Sequence, residues 1–299
     1  MCRSPRRCAA SQAPVPDALT PRTIVITGAS DGIGAAAAGQ LHAIGERVVI
    51  VGRNPEKTRA VAEGIGAPWH VADYAELDQV RALAATLLDR YERIDVLANN
   101  AGGIFGERTL TRDGFETTFQ VNHLGGFLLT TLLRDRLIES GASVIQTSSL
   151  AAQRFSRFDI DDLQGERRFS ASTAYGNAKL ANILFTTELA RRFGGNGRAD
   201  GLSAAAFHPG AIASGFAGSA RGAWHWLYTN PLASRLLTST EVGGSRLGWL
   251  AIGTPGVDWQ SGRYYANNRP ARTSPLAADP LLAARLWNLS AEMVGVEAR

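Results

Sequence analysis

Cysteine is nearly missing from this 299-residue chain: the two it has, Cys2 and Cys8, both fall in the first ten residues. The rest of the chain can form no internal disulfide and offers no thiolate to a metal, which suits a reducing compartment and makes the cytoplasm the expected location. Only five histidines are present, and no His, Asp or Glu cluster has ligand spacing, so no catalytic metal is expected. Long apolar runs are lacking as well. Nothing approaches the ~18–20 continuous apolar residues of a membrane span. The pair Arg6-Arg7 resembles the start of a twin-arginine signal, but Cys8 to Pro16 supplies no apolar stretch behind it. A soluble protein without stable membrane insertion is the expectation. Also absent are a basic stripe interleaved with aromatics, zinc-finger spacing and a helix-turn-helix pattern. The net charge of +4 therefore reads as a mildly basic surface, with no nucleic-acid partner.

What is present fits a globular enzyme. Hydrophobic residues make up 45% and charged residues 19%, enough for a sizeable core, and the length suits one large domain. Residues 1–20, rich in Pro, Ala, Ser and Arg, read as a flexible leader, and 21–299 as a single domain. Strand candidates are Thr23–Thr27, Arg47–Val51, Trp69–Val71, Ile94–Ala98, Ala142–Thr147 and Leu202–Phe207. Helical periodicity lies between them, as in Glu76–Tyr91 and Thr173–Phe193. Strands alternating with helices imply an α/β fold: one doubly wound Rossmann-type domain, with a parallel sheet and helices on both faces. The rhythm breaks in a segment rich in Trp, Tyr, Leu and Gly, which marks a substrate loop around 214–240.

The first strand runs into Gly28-Ala29-Ser30-Asp31-Gly32-Ile33-Gly34 and then an alanine-rich helix. Glycines there let the backbone turn sharply beside a pyrophosphate, while the helix N-terminus presents free N–H groups. The spacing is G-x-x-x-G-x-G, not the general G-x-G-x-x-G. At the end of the second strand, where NAD-binding proteins carry a carboxylate for the ribose hydroxyls, stand Gly52 and Arg53. An arginine there accommodates the 2′-phosphate of NADP, so NADP(H) is the expected cofactor, with Asp31 as a mild counter-signal.

Four further motifs follow in order. Asn99-Asn100-Ala101-Gly102 comes after the fourth strand, and Val121-Asn122-His123 lies inside the next long helix. Thr147-Ser148-Ser149 ends the fifth strand, and Tyr175-Gly176-Asn177-Ala178-Lys179 opens the helix after it. Together with the glycine loop these resemble the short-chain dehydrogenase/reductase family over about residues 22–295. Tyr175 and Lys179, four apart, share a helix face. A tyrosine titrates near 10, and an adjacent cation favours its ionised form. Such a tyrosine serves as general acid in reduction and general base in oxidation.

The resemblance implies further roles. Lys179 would also hold the nicotinamide ribose, Ser149 would hydrogen-bond the substrate oxygen, and Asn122 would support a water-linked proton relay. Ser149 matches the family register better than its neighbour Ser148, which stays as the alternative. Asp73, after the third strand, matches the acidic residue that contacts adenine. His208-Pro209-Gly210 matches the turn beneath the nicotinamide, with His208 structural, and Ile212 sits where family members touch the carboxamide. Asn100, Ala101 and Gly102 complete the expected cofactor wall. His123 is read as structural. Helix pairing into homo-oligomers is common in the family.

The connection from Ser149 to Tyr175 is longer than the family norm. With Ile183-Leu184-Phe185-Thr186 and Leu281-Leu282-Ala283-Ala284-Arg285-Leu286-Trp287, it is similar to the retinol dehydrogenase and protochlorophyllide reductase-like branch. Protochlorophyllide reductases carry functional cysteines in the body of the chain, and this chain has none there, which argues against that activity. Trp224-His225-Trp226-Leu227-Tyr228 is the expected pocket wall for a small lipophilic carbonyl or alcohol. A catalytically silent NADP(H)-binding sensor is the alternative, and the complete set Asn122, Ser149, Tyr175 and Lys179 weighs against it.

Overall fold

The computed structural model describes residues 20–194, 201–210 and 238–298. Most of the expected leader and most of the expected substrate loop lie outside the described residues. Eight strands form one sheet in the order β3-β2-β1-β4-β5-β6-β7-β8. They are β1 (Thr23–Thr27), β2 (Arg47–Gly52), β3 (Trp69–Val71), β4 (Val96–Asn99), β5 (Ser143–Thr147), β6 (Ser203–His208), β7 (Arg263–Ala266) and β8 (Arg269–Pro270). All neighbours pair in parallel except β7 and β8.

Buried on both faces, β1 and β2 are nearly continuous apolar runs, as is usual in parallel sheets. Successive side chains still choose opposite sides. Ile24, Ile26, Val48 and Ile50 meet α1 (Gly32–Ala43) and α8 (Thr240–Ile252). Val25, Val49, Leu97 and Val144 belong to the other core. It also holds α3 (Leu77–Arg90), α5 (Gly125–Glu139), α7 (Ala171–Phe193) and α9 (Pro280–Val294). On the first side α2 (Pro55–Ile65) completes the layer through Ala62. Helices on both faces and a strand order that reverses between β1 and β4 make the domain doubly wound. A cleft therefore opens at the carboxyl ends of β1 and β4.

Three local features position the site. Gly244 of α8 lies so close to α1 that a Cβ there would sit 2.7 Å from the Ala37 amide nitrogen. The helix bearing Asn122 is not regular: α4 (Thr117–Phe119) passes through a π-turn, Gln120–Leu124, into α5. After the short α6 (Ala151–Arg154), the long connection to α7 is strapped down at several points. Arg167 pairs with Asp159 at 2.8 Å, Arg285 of α9 pairs with Asp161, and Gln164 accepts from the Glu116 amide at 2.9 Å. Phe158, Ile160 and Leu163 pack on the core beneath.

The six strands read from the sequence all form, with ends shifted by up to two residues. β4 starts later than Ile94 because Asp95 turns its carboxylate to the Thr23 amide, at 2.8 Å, before the ladder begins. The β7–β8 hairpin is an addition. Asn267 and Asn268, at φ 49° and 59°, make the tight turn that joins its short strands.

Candidate functional site

The carboxyl ends of three strands are tied together by one side chain. Asn100 Nδ2 donates to the carbonyls of Thr27, at 3.0 Å, and Gly28, at 3.3 Å, and its Oδ1 accepts from Thr147 Oγ1 at 3.1 Å. Gly28 itself, at φ +65°, has no room for a side chain, since a Cβ would meet Ala101 Cα at 2.7 Å. The chain then reaches Asp31, whose carboxylate accepts from the Gly32 amide at 2.7 Å and caps α1. Gly28, Ser30, Gly32 and Ile33 line a cavity of about 610 Å³ at the N-terminus of that helix. Gly34 is not on its wall; it is pressed against Ala29, 2.8 Å from its own would-be Cβ.

At one end of the cavity stand Arg53, Asn54 and Lys57, with Asp73 and Tyr74 nearby. Lys57 Nζ lies 3.4 Å from Asp31, so the carboxylate that counted against an anionic ligand has its own cation beside it. Lys57 went unnoticed in the sequence, although a signal was there. Of 31 basic side chains only Lys57 and Lys179 are lysines, and both line this cavity. Lysine is a compact point charge that arginine does not mimic.

At the other end are Ser149, Tyr175 and Lys179. Ser170 caps α7 by accepting from the Thr173 amide at 3.2 Å, and Tyr175 and Lys179 follow in the first turns. Gly176 lets α7 approach closely, for a Cβ there would lie 2.8 Å from the Ser156 nitrogen. Lys179 is 1% exposed; its Nζ sits 5.5 Å from the Tyr175 ring centroid and donates to the Thr147 carbonyl at 3.0 Å. Burial pulls the lysine down to about 7. Of the two serines, Ser148 donates its hydroxyl to the Lys179 carbonyl at 2.7 Å, whereas Ser149 Oγ accepts from the Ala151 amide at 3.2 Å.

Asn122 lies behind the wall rather than on it. Its Nδ2 donates to the carbonyls of Gly103, at 2.8 Å, and Thr118, at 2.9 Å, while its Oδ1 accepts from the Gly103 amide at 3.1 Å. The side chain thus clamps the Ala101–Gly103 backbone to the π-turn. Pro209 lines the cavity. His208 Nδ1 accepts from the Gly210 amide at 3.1 Å, and burial, with Arg246 nearby, lowers this histidine to about 4. Ile212 and Trp224 to Tyr228 lie outside the described residues. Ile104, Phe105, Leu150 and Phe155 form an apolar wall that the sequence reading did not single out. They sit in loops with no periodicity, so nothing marked them.

Among the described residues no His, Cys, Asp and Glu group could hold a metal ion, and no helix is long and apolar enough to cross a membrane. The model of the short chain dehydrogenase family matches residues 22–223. The chain belongs to the short-chain dehydrogenase/reductase family. It is 46% identical over 288 residues to a Streptomyces (strain C5) protein named "Putative daunorubicin C-13 ketoreductase DnrU", covering 94% of this chain and 95% of that protein. It is also 36% identical to human retinol dehydrogenase 13, over 93% of this chain and 86% of the relative. A solved structure of an uncharacterised Mycobacterium paratuberculosis protein superposes with a TM-score of 0.73 at 32% identity, covering 93% and 95% of the two chains. The chain is thus a Rossmann-fold oxidoreductase of carbonyl or alcohol groups, in the retinol dehydrogenase-like branch, a family that works with nicotinamide cofactors.

Proposed function

We propose that this single-domain, cytoplasmic oxidoreductase uses NADP(H) to interconvert a ketone or aldehyde and its alcohol on a small lipophilic molecule. Tyr175 serves as the general acid and base. One observation carries the reading: a single cavity has Arg53 and Lys57 at one end and Ser149, Tyr175 and Lys179 at the other. The residues fit the cofactor. Gly28 leaves backbone exposed at the N-terminus of α1 for a pyrophosphate, and β2 ends on Gly52 instead of a carboxylate, with the cations Arg53 and Lys57 beyond it on the cavity wall, which suits a 2′-phosphate.

When bound, nicotinamide supplies or accepts the hydride. In reduction, the Tyr175 hydroxyl gives its proton to the carbonyl oxygen, and the Lys179 ammonium stabilises the phenolate left behind. Ser149 keeps a donor for that oxygen because its Oγ only accepts among the described residues, whereas Ser148 has spent its own. Asn122 supports the site by holding the Gly103 backbone with its side-chain amide. Ile104, Phe105 and Phe155 favour an apolar, ring-bearing substrate, and the name of the Streptomyces relative points to a ketone.

Turnover of NADPH and NADH with apolar aldehydes and ketones, wild type beside Tyr175→Phe, tests this. The expected result is NADPH-preferring reduction that drops by about 10²–10⁴-fold in the variant. Equal use of NADH would remove the cofactor assignment, and an unchanged rate in Tyr175→Phe would remove the mechanism.

A further inference from the structure

Behind the cavity runs a buried polar chain that the proposed reaction leaves unused. Asn182, one helical turn beyond Lys179 on α7, is 3% exposed. Its Nδ2 donates to the Asn122 carbonyl at 3.0 Å and reaches the Thr147 carbonyl at 3.5 Å. The Thr147 carbonyl is also the seat of the Lys179 Nζ. On its other side, Asn182 Oδ1 faces His123 Nδ1 at 3.3 Å, and His123 Nε2 faces Ser290 Oγ of α9 at 2.9 Å.

Donor and acceptor accounting fixes every orientation in this chain. The two carbonyls accept only, so the asparagine must turn its NH₂ toward them and its oxygen toward the histidine. His123 must then carry its proton on Nδ1, leaving Nε2 to accept from the Ser290 hydroxyl. The ring is packed among Phe119, Phe127 and Phe185, which favours the neutral form with that one tautomer. The π-turn is what brings Asn122 and His123 to this place: Asn122 sends its side chain to Gly103 and its carbonyl to Asn182, while the next residue reaches Asn182 and α9.

We propose that Asn182, oriented by His123 and Ser290, is a positioning residue for proton transfer. It holds the Asn122 and Thr147 carbonyls in register with the Lys179 ammonium. The proposal rests on the function given above, because it assigns a purpose to the geometry around Tyr175 and Lys179. It adds that the C-terminal helix α9 takes part in that geometry through one hydroxyl. A pocket of satisfied polar groups would serve stability alone; a chain that ends on the carbonyl seat of the lysine also constrains where the proton goes.

The test compares wild type, Asn182→Leu, His123→Phe and the double variant as full chains, with 4-nitrobenzaldehyde as the carbonyl probe. Asn182→Leu should lower kcat about 10–100-fold, the size expected when a reacting group drifts from its geometry, while KM for NADPH stays within about twofold. His123→Phe, which suits the surrounding aromatic rings, should fall to a similar level. The double variant should fall no further, because both act through one chain. A readout without cofactor is the ¹⁵N ring spectrum of the free protein. Wild-type His123 should show a protonated Nδ1, and Asn182→Leu should lose that fixed tautomer.

If Asn182→Leu does not fold, His123→Phe and Ser290→Ala carry the same expectation with smaller disruption. A folded Asn182→Leu or His123→Phe with wild-type kcat, or losses that multiply in the double variant, would overturn the proposal while leaving the enzyme's function intact. A wild-type chain that turns over neither the probe nor the wider panel would overturn the function itself, and this inference with it.

Discussion

Lys179 and Thr147 lie on different elements, the first turns of α7 and the last residue of β5, and meet through one hydrogen bond, Nζ to the main-chain oxygen at 3.0 Å. The bond holds a nearly buried amine on the wall of the cleft. That single placement sets the charge, the partner distances and the pH response of the chemical end of the cleft.

Its first consequence concerns titration. With only two lysines in the chain, ¹⁵N-lysine labelling gives two side-chain signals, and the buried one should titrate near 7 in the free protein instead of at 10.5. Between those values the unfolded chain binds the extra proton. Stability should therefore rise with pH across that window and be lost as pH falls through about 7. The full difference is on the order of 5 kcal/mol, and urea denaturation of Lys179→Met should show a flatter slope between pH 7 and 9. A Lys179 signal titrating at the ordinary value would contradict the burial described above.

Cofactor selectivity should follow Arg53 and Lys57. Each hydrogen bond to a charged group is worth about 1.5–3 kcal/mol, so Arg53→Ala should weaken NADPH about 10–100-fold and hardly affect NADH. Lys57→Ala should act in the same direction more weakly, because Asp31 already draws on its charge. Equilibrium binding by nucleotide fluorescence measures both. Parallel losses for the two nucleotides would mean that neither side chain reads the phosphate.

Acid should destabilise the fold through His123. Burial lowers it from 6.5 to about 4, so the unfolded chain takes up a proton that the folded chain refuses. Stability is complete above 6.5 and is lost as pH falls toward 4, by about 3 kcal/mol. His208 shifts in the same direction. Thermal midpoints at pH 5 and pH 8 should differ less in His123→Phe than in wild type, even if the variant starts lower. An unaltered difference would shift the acid response onto other groups.

Gly244→Ala should destabilise by about 1–3 kcal/mol, because its Cβ would force α8 away from α1. Since α1 presents its N-terminus to the cleft, NADPH binding should weaken with the melting temperature. A variant that melts as wild type does would show that the two helices separate at little cost.

Much of this was legible in local pattern. The strands β1 to β6, the loop from Gly28 to Gly34 and the Tyr175–Lys179 pair announce themselves through runs of apolar residues or fixed spacing. What stayed hidden depends on distant parts of the chain. Asn182 reads as one more polar residue on a helix until Asn122, sixty positions earlier, is seen against it. Asn122 itself reads as a member of a proton relay, but the π-turn directs its amide to the Gly103 backbone. The β7–β8 hairpin pairs a four-residue strand with a two-residue one, too short for alternation to register.

The strapped connection before α7 has a consequence for how such an enzyme diversifies. Its anchors, Glu116, Arg108 and Arg285, belong to other elements than the glycine loop and Arg53. Arg154 and Phe155, which line the cavity just ahead of the strapped stretch, can thus change while the cofactor-facing half keeps its shape. Selection for a new substrate would meet little resistance there, and a graft of this one segment is the smallest unit by which the preference of one relative could be moved into another.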